Sequence, residues 1–176
     1  MPTATATTTR AKRAASRTNR KESLASAKPA DAIKILKDDH REVKTWFKEF
    51  EKLEDDAEKE ALARKICQAL KLHAQIEEEI FYPALRNAIA DGDLLDEAEV
   101  EHASAKRLIA EIQAMTPDDR LFDAKIKVLG EYVMHHVGEE ENEIFPEARE
   151  SGVDLLALGS SLAKRKKEMK VKMTAS

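Results

Sequence analysis

The sequence predicts an all-α chain: an antiparallel, up-down four-helix bundle made of two repeated helical hairpins, with a short C-terminal helix and a disordered basic N-terminal arm. Three observations carry this. Apolar residues recur in steps of three and four through four long segments, the spacing that keeps one helix face turned inward. The second pair of segments repeats the first at an offset of 62 or 63 residues. The 176 residues are 42% hydrophobic but only 5% aromatic, with five glycines and five prolines, a mix poor in the strand and turn chemistry of a sandwich or barrel. No glycine-rich phosphate loop appears, which sets aside the nucleotide-binding α/β folds.

The first helix, over residues 31–54, follows Pro29 with Asp31 as its cap, and its seam reads Ile33, Leu36, His40, Val43, Phe47, Phe50. The second, over residues 57–90, has the seam Leu62, Ile66, Ala69, His73, Glu77, Ile80, Ala84. Within it Pro83 has no N–H for the carbonyl of Glu79, so regular bonding bends or breaks there while the helix runs on. Asp91-Gly92-Asp93 makes a turn, and the third helix, over residues 94–115, shows Leu95, Ala98, His102, Ala105, Ile109, Ile112. Thr116-Pro117-Asp118-Asp119 reads as a helix start, with Thr as cap, Pro in first position and acids in the first turn. The fourth helix, over residues 117–150, has Phe122, Ile126, Leu129, Val133, His136, Glu140, Ile144 and stops at Ser151-Gly152. A shorter fifth helix, over residues 153–170, turns wholly basic after Leu162; it is expected to pack outside the bundle and to fray. The chain divides into a basic arm (1–28), a bundle (29–150) and a C-terminal helix with a basic tail (151–176).

Each seam is broken by a histidine, and the second and fourth add a glutamate four residues later, on the same helix face. His40 and His102 are 62 residues apart; His73 and His136, Glu77 and Glu140, and Pro83 and Pro146 are each 63 apart. Two hairpins that match in this way bring His40, His73, Glu77, His102, His136 and Glu140 together inside the bundle. Six buried polar groups without compensation would cost several kcal/mol per carboxylate and about 1–3 kcal/mol per unsatisfied imidazole. A bound cation removes that cost. Imidazole and carboxylate without thiolate suit non-haem iron or manganese, zinc being less favoured by six ligands, and two carboxylates among four imidazoles can bridge two ions. His135 lies about 100° round the helix from His136, beside Val128 and Tyr132, which gives it a surface or supporting place.

The net charge of −4 conceals an asymmetry: residues 1–28 carry +6, residues 164–176 carry +5, and the stretch between carries −15. The N-terminal arm has almost no apolar bulk with which to offset the entropy of ordering. It reads as a solubilising tail, a weak polyanion contact or, by composition, something like an organelle transit segment. Alternatively, the basic ends fold back on the acidic body. The single cysteine, Cys67, cannot form an intramolecular disulfide and reads as a small buried hydrophobe. With no apolar membrane span or signal core, a cytoplasmic protein without membrane contact is expected. Trp46, Tyr82 and Phe145 read as packing residues, with an aromatic beside the metals able to gate a ligand's approach.

The pattern Lys37-Asp38-Asp39-His40-Arg41-Glu42, then His73-Ala74-Gln75-Ile76-Glu77-Glu78-Glu79-Ile80-Phe81-Tyr82-Pro83, then Glu101-His102, then His135-His136-Val137-Gly138-Glu139-Glu140-Glu141 resembles the hemerythrin-like, HHE cation-binding family over residues 31–149. The resemblance implies a non-haem di-iron centre, with His40, His73, His102 and His136 as terminal ligands and Glu77 and Glu140 as its carboxylates. It also implies binding or sensing of O2, nitric oxide, peroxide or iron itself. One departure stands out: oxygen-carrying hemerythrins have HxxxH on the third helix, whereas here Lys106 follows His102 by four residues. Water, Glu99 or His135 are the groups that could complete that ion, and a sensor, scavenger or iron-responsive protein fits better than a dedicated O2 carrier. A di-iron oxidase or catalase-like enzyme ranks below binding, because the ferritin-type Glu-x-x-His pair occurs only at Glu99–His102. A polyanion-binding protein acting through its basic tails is the other alternative.

Overall fold

A computed structural model describes residues 30–174; the arm over residues 1–28, expected to be disordered, lies outside them. The helices are α1 (Ala32–Phe50), α2 (Asp56–Ile76), α3 (Tyr82–Leu85), α4 (Asp93–Gln113), α5 (Phe122–Glu139), α6 (Phe145–Glu150) and α7 (Leu155–Thr174), and no strand occurs among the described residues. Two π-helical segments, Glu77–Phe81 and Glu140–Ile144, join α2 to α3 and α5 to α6 into two long, nearly continuous rods. With α1 and α4 these make the four-helix bundle. Among the described residues no helix is long and apolar enough to cross a membrane.

Caps set the starts. Asp31 accepts from the Lys34 amide at 2.7 Å and Asp55 from the Glu58 amide at 2.9 Å, each relieving an orphan donor of the first turn. The fourth rod begins later than its sequence suggests. Asp119 accepts from the Thr116 amide at 2.8 Å, and Phe122 N–H donates to the Asp119 carbonyl. The run Thr116–Asp119 is thereby spent on a turn, and the helix opens at Phe122 rather than at Pro117.

The prolines do not simply bend their helices. Because Pro83 cannot donate to Glu79, the ladder widens one turn earlier: Tyr82 N–H reaches back five residues to Glu77 O, as Phe145 N–H does to Glu140 O. That extra residue rotates everything downstream, so Phe81, Tyr82 and Leu85 face inward where the simple seam places Ile80 and Ala84. Further up the same helix Ala63, Cys67 and Leu70 are buried and Leu62 and Ala69 only half-buried. Burial lifts the Cys67 thiol to about 11, consistent with an inert core residue.

Two apolar clusters fill the bundle. Leu36, Ile76, Tyr82, Ala98 and Ile144 belong to one; Val43, Trp46, Leu70, Ile109 and Val133 belong to the other. On every rod the histidine falls between a residue of the first cluster and one of the second. The polar groups therefore form a layer between two greasy caps.

The last helix differs from expectation in length. Asp154 accepts from the Leu156 and Ala157 amides, and α7 runs for 20 residues with Leu162 and Met169 buried against the bundle, chiefly along α1. Its basic residues do fold back: Arg165 binds Glu79 at 2.6 and 3.0 Å, and Lys166 pairs with Asp39.

Candidate metal centre

The six seam-breaking residues converge. His40, His73, Glu77, His102, His136 and Glu140 are the buried polar side chains of the described chain, none more than 7% exposed. The histidines face one another through Nε2, 3.1 Å apart for His40 and His73 and 3.0 Å for His102 and His136. Glu77 reaches both pairs, with Oε1 3.1 Å from His73 Nε2 and Oε2 3.4 Å from His102 Nε2. Glu140 Oε2 lies 3.1 Å from His40 Nε2 and 3.7 Å from His136 Nε2. The donor atoms fall into two groups, His40–His73–Glu77–Glu140 and Glu77–His102–His136, with Glu77 common to both.

The outward nitrogens fix the tautomers. His40 Nδ1 meets Glu141 at 3.0 Å, His73 Nδ1 meets Asp39 at 3.4 Å, His102 Nδ1 meets Glu78 at 3.0 Å and His136 Nδ1 meets Glu101 at 2.8 Å. An ionised carboxylate only accepts, so each Nδ1 carries the proton and donates it. In the neutral rings the inward Nε2 atoms are then bare lone pairs, aimed at one another across about 3 Å. Glu77 Oε1, Glu77 Oε2 and Glu140 Oε2 are likewise buried without a well-directed hydrogen bond. Such an array is costly when empty of positive charge and favourable around a cation.

These carboxylates form a closed ring: α1 serves the histidine of α2, the first π segment serves α4, α4 serves α5, and the second π segment serves α1. Lysines anchor three of them, Lys166 on Asp39, Lys106 on Glu78 and Lys44 on Glu141. Lys106, standing where a fifth histidine would be, thus holds the carboxylate that orients His102. Spacing alone gave these acids no role, because each acts on a different helix from its own. The signal was the repeat offset, which also pairs Asp39 with Glu101, Glu78 with Glu141 and Lys44 with Lys106. Neither Glu99 nor His135 completes the cage: Glu99 binds Arg86 at 2.6 Å, and His135, 68% exposed, turns to Glu139 at 3.1 Å.

The aromatics break the symmetry. Phe145 stacks on His40 and Tyr82 on His102, matching positions of the two repeats. Tyr82 also donates its hydroxyl to Glu140 Oε1 at 2.9 Å. Phe145, at the matching position of the second repeat, has no hydroxyl with which to do the same for Glu77.

Burial and the neighbouring carboxylates set the protonation of the cage residues in opposite directions. Burial opposes a charge on His73, but Glu77, Asp39 and Glu140 outweigh it and raise His73 to about 10. His136 rises in the same way, mainly through Glu101. Burial and then the adjacent His136 push His102 down to about 3. Burial and the nearby Glu140 raise Glu77, whereas Glu140, despite its burial, is held low by His40, His136 and His73. His73 therefore stabilises the metal-free fold fully below its unfolded value of about 6.5. That contribution is lost as the pH rises through about 10. A cation needs the neutral ring, so its binding expels protons and weakens as the pH falls.

A four-helix bundle enclosing this histidine and carboxylate cage defines a cation-binding protein. The sequence matches the Hemerythrin HHE cation binding domain over residues 31–148, and the chain belongs to that family. A DNA nickase of Nostoc sp. is 31% identical over 115 residues, 65% of this chain and 32% of the relative, so the chain spans about a third of that protein. The crystal structure of a hemerythrin HHE cation binding domain-containing protein from Mycobacterium kansasii shares the fold, with a TM-score of 0.69 at 22% identity over 79% of this chain and 86% of that one.

Proposed function

We propose that the protein holds two non-haem iron ions and binds or senses a small ligand there: O2, nitric oxide, peroxide or incoming iron. The observation that carries this reading is Glu77, buried, unpartnered and shared between the two donor groups. In it, His40, His73 and Glu140 would hold one ion and His102 and His136 the other, with Glu77 within reach of both donor groups. Bound iron would supply an open coordination position and one-electron chemistry. The chain's own part is to orient the rings through the carboxylate ring, to keep Glu140 in place through the Tyr82 hydroxyl and to flank the cage with the two apolar clusters. Binding is favoured over oxidase turnover because Glu99, needed for a ferritin-type ligand pair, faces outward onto Arg86.

Anaerobic Fe(II) loading followed by desalting tests it. Two irons per chain are expected, with protons released on loading at pH 8, and less than half that iron in a His73→Ala, His136→Ala variant. One iron would reduce the centre to a mononuclear site, and none would return the histidines to a structural role.

Nucleic-acid contact through residues 1–28 is a second reading, favoured by the name of the Nostoc relative and the +6 charge of that segment. Retention on duplex DNA should then fall steeply with salt and vanish when residues 1–28 are removed. Retention that survives the deletion would sink it.

A further inference from the structure

Beside the four histidines, on the side of Val43 and Leu70, lies a cavity of about 290 Å3. Its walls are Val43, Leu70, Ala105, Ile109 and Val133, and the histidine rings form its polar end. The exposed residues at its rim, Val100, Tyr132 and His135, come from α4 and α5, so it opens on that face. A diatomic needs little more room than a water molecule, about 30 Å3, whereas an apolar cavity of about 150 Å3 stays dry and takes up benzene. This chamber is nearly twice that size.

We infer that the cavity binds an apolar organic molecule of roughly seven to ten heavy atoms, with a single oxygen donor directed at the histidine end. Size and lining select the body: aliphatic walls on four helices offer dispersion contacts and no hydrogen bonds. Lys106, the cationic residue of the lining, is already paired with Glu78, so it does not select an anionic body. The inner end selects the head: Tyr132 and His135 stand at the open rim and the Ser104 hydroxyl is bonded to the Val100 carbonyl, so deep in the chamber the histidine cage is where a polar atom finds partners. That part rests on the metal reading; the apolar body does not.

The probe is 4-ethylphenol, titrated by calorimetry into the full-length protein with and without iron. Saturable binding of one molecule per chain to the metal-free protein is expected, competed by toluene, with iron strengthening it and producing a visible absorption band. Ala105→Phe and, separately, Val133→Phe should each weaken binding at least tenfold while iron per chain stays unchanged. No saturable binding, no competition by toluene, or undiminished binding in both filled variants overturns the inference. If the protein takes up no iron yet binds 4-ethylphenol and loses it on filling, the metal reading fails and the apolar site stands.

Discussion

Glu77→Gln is expected to empty both halves of the centre, whereas His40→Ala should weaken one. The reason is position: Glu77 contributes to both donor groups, Oε1 toward His73 and Oε2 toward His102, and neither oxygen has another partner. Glutamine keeps the shape but replaces one anionic donor with an N–H that faces an imidazole lone pair. Iron affinity should fall by more than the 10–100-fold typical of losing an outer orienting group. The bundle should still form, somewhat less stable without metal at neutral pH, because His73 loses the first of the charges that keep it protonated. The clearest readout is the iron-dependent rise in melting temperature. A ligand at a hundred times its dissociation constant adds about 2.7 kcal/mol, and this increment should disappear in Glu77→Gln. Its persistence at wild-type size would remove Glu77 from the centre.

Gly159→Ala should destabilise the protein, against the usual sign. Inside a helix, alanine is ordinarily better than glycine by about 1 kcal/mol. Here a methyl at residue 159 would lie 2.8 Å from Asp31 C, 2.9 Å from Ala32 N and closer still to the Ala30 carbonyl oxygen. All three are backbone at the start of α1 and cannot swing aside, so α7 must lift. Lifting it exposes Leu162 and Met169, each worth about 1.5–3 kcal/mol when buried, and separates Lys166 from Asp39. A loss of about 2–3 kcal/mol is expected, or roughly 5–10 °C for a chain of this size. Iron retention should fall with it, because Asp39 orients His73. A melting temperature raised by the substitution would show that α7 does not rest on the α1 N-terminus through this glycine.

Much of the centre could be read before any coordinates. A histidine costs a helix seam its apolar contact, so four interruptions in matching register, two followed by glutamate, leave few physical alternatives to a shared polar core. The repeat made the choice of His136 over His135 firm, and His135 indeed points away. What spacing could not supply was the consequence of each proline. A break in the ladder reads from sequence as a bend, but the chain widens into a π turn instead. That one-residue slip turns Tyr82 and Phe145 onto the histidine rings.

Periodicity and burial cost are local properties of the chain, and the helical class, the hairpin repeat and the six residues that meet inside all follow from them. How those residues are held depends instead on contacts between helices. Each supporting carboxylate acts across to a neighbouring helix, Lys106 and Lys166 anchor two of them, and α7 is seated by a glycine pressed against the backbone of α1. Such contacts depend on which faces the folded chain brings together, and no spacing along one helix encodes them.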